Sequence, residues 1–265
     1  FHEIGVYDLP ANIDYILKRT NFKKLFYVGH SQGTTSFFVM AAVKPQYNKK
    51  VMLMTALSPV AYVYNIQHVI ASFCKQHLKE IQELAVKNNV YELFPHSDLL
   101  QSFGEIFCND YAKTQVLCAI FLYIFGGYSR NLNKSALPAI LSEYPSGTST
   151  KMLFHYIQLA TTEQFQMYDY RKAENMKRYG TITPPKYNIS EITAPVALHY
   201  GGSDTLSTRA DVKQLASELP NVVKRQFIKS YGHFDFIYST SMKSLLYRRI
   251  ISTMKEYSKL IVPTV

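Results

Sequence analysis

The chain has 265 residues, of which 47% are hydrophobic, 14% aromatic and 18% charged. That excludes a disordered or collagen-like polypeptide and suffices for one large α/β domain with an insertion. With 29 Lys and Arg against 19 Asp and Glu the formal charge is +10, but the basic residues come only in pairs such as Lys23-Lys24, Lys49-Lys50 and Arg248-Arg249. A solvated basic surface is therefore expected, not a nucleic-acid partner.

The longest apolar run, 116–125, is half of the roughly 20 residues a bilayer crossing needs, so no transmembrane segment is expected. Residue 1 is Phe, with no basic and apolar leader after it, and the natural N-terminus is expected to lie upstream. No internal repeat is visible, and the chain divides by pattern into residues 1–62, 63–188 and 189–265.

In the first stretch Asp8 is expected to cap a helix with Pro10 in its first turn, Ile13, Ile16 and Leu17 falling on one face before Asn21 closes it. A β-prone run at 24–28 leads directly into Gly29-His30-Ser31-Gln32-Gly33, a helical pattern resumes at 34–43, and 51–57 reads as a second buried strand. Continuous apolar strands separated by a helix predict a parallel sheet covered on both faces. The second stretch carries long helical runs, 66–86 and 152–160, broken at Pro95, Gly126-Gly127 and Pro145-Ser146-Gly147, and reads as a mostly helical insertion. The last stretch returns to α/β, with strands at 196–200 and 223–228 around a helix at 208–219. A final helix carries Met242, Leu245, Leu246, Ile250 and Met254 on one face.

G-x-S-x-G between a strand and a helix is the pattern of a nucleophile elbow, in which a sharp turn lifts a serine hydroxyl clear of the sheet. Ser31 occupies that position, and Gly29 and Gly33 are expected because a side chain at either would meet neighbouring backbone. The amide of Gln32, opening the helix, is the expected donor to an oxyanion. Such an elbow calls for an acid and then a histidine after later strands. Asp204 follows the strand at 196–200 and His233 the strand at 223–228, so His233 is expected as the base and Asp204 as its orienting acid.

Asp211 falls inside a helix, Asp235 lies too near His233 to orient its ring, and His2, His68, His77, His96, His155 and His199 are not loop residues following a strand. His30 is expected to pack below the elbow. No H-E-x-x-H or C-x-x-C spacing occurs, so neither a metal nor another cofactor is expected. The three cysteines allow one bridge and one free thiol. Cys108 and Cys118 enclose a short segment and can pair, which leaves Cys74 as a small buried apolar residue. Two sequons, at Asn133 and Asn188, agree with a secretory route.

Beyond the elbow and its two partners, the chain contains Tyr7-Asp8-Leu9-Pro10-Ala11, Gly29-His30-Ser31-Gln32-Gly33-Thr34-Thr35, Pro145-Ser146-Gly147-Thr148-Ser149, Pro184-Pro185, Tyr187-Asn188, Gly201-Gly202-Ser203-Asp204 and Gly232-His233-Phe234-Asp235-Phe236-Ile237. Together they resemble the acid lipase family, which includes gastric and lysosomal acid lipases and insect relatives, over essentially the whole chain. The resemblance implies an α/β-hydrolase core (1–62 and 189–265) with a helical cap or lid (63–188), acting on triacylglycerols or sterol esters at a lipid–water interface. Ser31 matches the nucleophile, Asp204 the acid, His233 the base and Gln32 one oxyanion amide. Cys108 and Cys118 resemble a disulfide-forming pair, Asn133 and Asn188 fall at glycan positions, and a secreted or lysosomal location is implied. Family members carry roughly a hundred further residues upstream, with the first strands of the sheet and a second oxyanion donor. The chain is therefore expected to be a truncated piece of such an enzyme, whose strand at 24–28 would have one bare edge. A carboxylesterase acting on small esters would use the same three residues, and a catalytically impaired lipid-binding fragment is the reading from another class.

Overall fold

The computed structural model describes residues 1–93, 95, 106–143 and 146–259. Helical backbone begins at His2, passes through a π-turn at Ile4–Asp8 and continues without a break into α1 (Leu9–Thr20). Asp8 is itself helical and makes no capping bond, so the expected cap there is not formed; Pro10 does sit at the start of α1, and Asn21 ends it in the left-handed region. Of the predicted apolar face, Ile13 is buried and Ile16 is turned to solvent.

β1 (Leu25–His30), α2 (Gln32–Val43) and β2 (Val51–Leu57) follow. α2 is apolar nearly all round and buried from Thr34 to Ala41, the pattern of a helix enclosed by other elements.

The expected single helical run over 66–86 is two helices, α3 (Val69–Gln76) and α4 (Leu78–Lys87), separated at His77, whose backbone leaves the helical region. α5 (Gln115–Gly126) stops at Gly126-Gly127 as expected. α6 (Leu137–Glu143), α7 (Thr150–Ala160) and α8 (Lys172–Tyr179) complete the middle stretch, with a two-residue antiparallel pairing of Glu92–Leu93 and Thr148–Ser149 that the sequence pattern does not announce. Pro145 and His96 lie outside the described residues.

β3 (Val196–Gly201), α9 (Arg209–Glu218) and β4 (Val222–Ile228) return the chain to the sheet. The short helix α10 (Asp235–Tyr238) and the terminal α11 (Arg248–Lys259) close it. A π-turn at Lys243–Tyr247 precedes α11 and shifts the spacing by a residue. Leu246 and Ile250 are buried accordingly, whereas Leu245, expected on the same face, is exposed.

The strands form one parallel sheet in the order β1-β2-β3-β4, with Val28 opposite Thr55, Met54 opposite Val196 and Tyr200 opposite Phe227. Its two central strands are almost wholly buried, as expected of a parallel sheet with both faces covered. β1 is an edge, and Val28 on it is 51% exposed.

Strand alternation sends Met54 and Ala56 into a large core with α1, α2 and α9, and Leu57 into a second cluster with Tyr231, Phe236 and Ile250 on the other face. A third cluster joins α5 to α6 through Leu122, Leu137 and Ile140, around a Cys108–Cys118 disulfide. The remaining thiol, Cys74, departs from the expected burial: it is only partly buried and lines a cavity.

Candidate active site

In the sheet all the parallel strands end on one edge, and the loops that follow β1, β3 and β4 meet there. Ser31 lies between β1 and α2 with φ 52° and ψ −117°, a positive φ that is strained for a residue with a Cβ and raises its side chain above the turn. The turn is pinned by Ser31 N–H donating to the Leu57 carbonyl at 3.0 Å and by the Thr34 amide and hydroxyl donating to the Ser31 carbonyl. A Cβ at Gly29 would sit 2.9 Å from the Gly33 carbonyl, so the expected steric demand holds there. At Gly33 it does not, since a Cβ would meet nothing within 4 Å.

His233 Nε2 lies 2.7 Å from Ser31 Oγ, and its Nδ1 lies 3.0 and 3.1 Å from the two oxygens of Asp204. An ionised carboxylate only accepts, so Nδ1 carries the proton and the Nε2 lone pair faces the serine hydroxyl. Both residues are buried, His233 2% and Asp204 5% exposed.

Burial opposes ionisation of Asp204, but the His233 ring and hydrogen bonds from His233, the Ser207 amide and the Ser58 hydroxyl outweigh it and hold the carboxyl below its ordinary range. The carboxylate also accepts from the Leu206 amide at 3.0 Å and the Ser207 amide at 2.8 Å. It therefore stays ionised beside the His233 ring.

Several groups that the sequence pattern left aside hold this arrangement. His30 Nε2 donates to the His233 carbonyl at 2.8 Å, and burial, with the neighbouring His233, pushes its pKa down to about 4, so it is a neutral support at neutral pH. Asp235 does not touch the His233 ring. It accepts from the Gly232 amide and from Ser129, bracing the loop that carries His233. Asp211 binds Asn65 and Thr208, away from the site. The hint for Asp235 was its place two residues after the histidine; nothing local in sequence points to Ser129 or Ser58.

Gln32 is the first residue of α2, so its amide has no acceptor within the helix and points from the positive helix end. Ser31, Gln32 and His233 border a cavity of about 400 Å³, otherwise walled mainly by side chains such as Val60, Val63, Ile66 and Phe125. A second cavity of about 540 Å³ lies beneath Phe1 on another side of Gln32 and touches neither Ser31 nor His233. Among the described residues no group of three His, Cys, Asp or Glu is arranged to hold a metal ion, and no helix is long and apolar enough to cross a membrane. Asn188 is exposed and accepts from Ser190, and Asn133 is partly buried.

Residues 2–240 match the family described as the alpha/beta hydrolase fold. The chain belongs to that family. Among individual proteins it is 36% identical over 262 residues to Lipase 1 of Drosophila melanogaster, covering 96% of this chain and 56% of that one. It is 37% identical over 260 residues to the gastric triacylglycerol lipase of Mus musculus, covering 97% and 64%. The chain thus spans between about half and two thirds of the length of these relatives. The structure resembles a soluble variant of the monoglyceride lipase of Saccharomyces cerevisiae, with a TM-score of 0.54 at 15% identity, over 96% of this chain and 68% of that one; at this identity the likeness speaks for the fold alone. Ser31 lies on a strand–turn–helix connection, between β1 and α2.

Proposed function

We propose that this chain is the catalytic part of a serine lipase that hydrolyses neutral lipid esters, triacylglycerols or sterol esters, by way of an acyl-enzyme. The observation that carries the reading is the relay Ser31 Oγ–His233 Nε2 at 2.7 Å and His233 Nδ1–Asp204 at 3.0 Å, opening onto an apolar cavity. Its relatives named lipase and gastric triacylglycerol lipase support the substrate class.

In the proposed reaction Ser31 Oγ attacks the ester carbonyl while His233 Nε2 takes its proton. The negative charge gathers on the carbonyl oxygen, to which the Gln32 amide donates. Collapse expels the alcohol with the proton from His233; water, deprotonated by the same nitrogen, then releases the fatty acid and restores Ser31.

Residues 63–188 are assigned in this reading to the cap over the core formed by 1–62 and 189–265. Val116, Leu117, Ile120, Phe121 and Ile124 of α5 expose an apolar strip that suits contact with a lipid surface. The Cys108–Cys118 bridge and the sequons at Asn133 and Asn188 support a secreted or lysosomal location, with glycans on both asparagines.

The test is labelling with a fluorophosphonate, located by peptide mass spectrometry. Modification at Ser31 that Ser31→Ala and His233→Ala both abolish is the expected result. Labelling at another serine, or labelling that survives His233→Ala at full rate, overturns the assignment.

A further inference from the structure

Ser31 and His233 share their cavity with one more histidine. His68 lines the same cavity, is 6% exposed and takes no part in the relay. It caps α3: its Nδ1 accepts from the Ala71 amide at 3.3 Å, so the ring proton is on Nε2. Nε2 is buried and has no hydrogen-bond partner among the described residues. The ring lies beside the Ile124 carbonyl and the Phe125 ring of α5, the two ring centroids 5.8 Å apart. One residue earlier, the Gln67 amide donates at 2.9 Å to the carbonyl of Thr205, directly after Asp204. His68 therefore stands where the start of α3, the end of α5 and the Asp204 loop converge. Little else holds α3. Ala71 is its one buried residue, Val69 and Phe73 are 81% and 58% exposed, and the backbone leaves the helical region just beyond it at His77. Ile70, Ala71 and Cys74 nevertheless form part of the cavity wall.

A second proton on the His68 ring would turn Nδ1 into a donor facing the Ala71 donor, which removes the cap. It would also leave a cation in a wall shared with Val63, Ile66 and Phe125. Burial holds the His68 pKa below its ordinary value; the Ile124 carbonyl opposes this in part, and His233, from the loop after β4, adds to it. Tyr156 on α7 and Cys74 on α3 are both pushed up by burial and stay neutral, and Asp204, from the loop after β3, is engaged by His233. Acidification below the ordinary histidine value of about 6.5 therefore favours a His68 that has left this position. We propose that His68 is an acid-released latch on the cavity: neutral, it pins α3 between α5 and the Asp204 loop; protonated, it lets α3 swing away and opens the wall beside Ser31. That the opening admits an ester rests on the role proposed for Ser31. The latch itself does not, and its test reads α3 without substrate.

The experiment is hydrogen exchange read by mass spectrometry at pH 7.5 and 5.5, with rates corrected for intrinsic exchange and referred to peptides of β3, which report general loosening. In the parent, opening of α3 should rise several-fold at pH 5.5, up to about tenfold, the limit for a ring that titrates near 6.5 once released. His68→Asn keeps a capping acceptor but cannot take the proton, so its α3 should exchange alike at the two pH values. His68→Ala, without a cap, should be open already at pH 7.5. Cys74 reads the wall itself: its disulfide exchange with 4,4′-dithiodipyridine should be several-fold faster in the parent than in His68→Asn at pH 5.5, and equal in both at pH 7.5. Exchange in α3 that does not rise on acidification, that rises equally in His68→Asn, or that rises without the difference at Cys74 overturns the latch. Failure of a fluorophosphonate to label Ser31 leaves these readings unchanged and removes only their link to catalysis.

Discussion

The backbone N–H of His233 donates to the carbonyl of Gly126 at 2.6 Å. This bond ties the loop that carries His233 to the last turn of α5, so the helix with the exposed apolar strip is anchored on the loop of the proposed base. Gly127, next in sequence, has φ +82°, and a Cβ there would stand 1.9 Å from the Ser203 carbonyl, directly before Asp204. The end of one helix thus touches both loops that bear His233 and Asp204.

Gly127→Ala is expected to disturb both loops at once. The strain at positive φ and the backbone clash cannot be relieved by turning a side chain, so the site must shift. Fluorophosphonate labelling should slow by at least about tenfold, the effect of roughly 1.4 kcal/mol in the barrier, while far-ultraviolet circular dichroism keeps its helical signal. Labelling at the parental rate would show that the α5 anchor does not position the base.

Asp204→Asn leaves the shape of the site almost intact but replaces a charged acceptor with an amide. The His233 ring is then free to take the other tautomer and its protonated form loses a counter-charge, so turnover of a short p-nitrophenyl ester should fall on the order of 10⁴-fold. Retention of more than a tenth of the parental rate would remove Asp204 from the relay.

The glycines of the elbow should separate under substitution. Gly29→Ala places a Cβ against the Gly33 backbone and should lower thermal stability and labelling together, whereas Gly33→Ala meets open space among the described residues and should leave the melting temperature close to that of the parent. Equal losses in the two variants would mean that the crowding at Gly29 is not what shapes the turn.

Much of this site was legible because its grammar is local. A strand, G-x-S-x-G and a helix are contiguous in sequence, and Asp204 and His233 each follow their own strand, so order and periodicity were enough to name the three side chains that the structure brings into hydrogen-bond contact. What holds them was not legible. The bond from His233 to Gly126 joins residues more than a hundred positions apart, and His30, Ser58 and Ser129 are ordinary polar residues until the loops converge. The misread helices have a common physical cause. A π-turn at Lys243–Tyr247 and the kink at His77 change the residue count per turn, so a fixed 3.6 spacing assigns Leu245 to the wrong side and runs α3 into α4.

Stability should depend on pH through histidines that take no part in the chemistry. His199 is buried in β3 with Nδ1 3.0 Å from Gln226 Oε1, and burial, opposed in part by that bond and reinforced by Lys224 and Arg249, holds its pKa down at about 4. His155, buried against Phe1, is likewise lowered to about 4 by burial, as is His30. In the unfolded chain each takes a proton near the ordinary value of about 6.5. Between roughly pH 6.5 and 4 the unfolded state therefore binds more protons than the folded one, and stability falls on acidification, by up to about 1.4 kcal/mol per pH unit for each such histidine. Asp204, with its carboxyl held below the usual range, adds a further loss at still lower pH, as protonation breaks its pairing with His233. Urea unfolding at pH 7.0, 5.5 and 4.5 should show this decline, and His199→Gln should make it shallower, because the variant loses one site of differential proton uptake while its amide can still donate to Gln226. A flat profile across that window, or an unchanged slope in His199→Gln, would mean that these rings are protonated inside the fold.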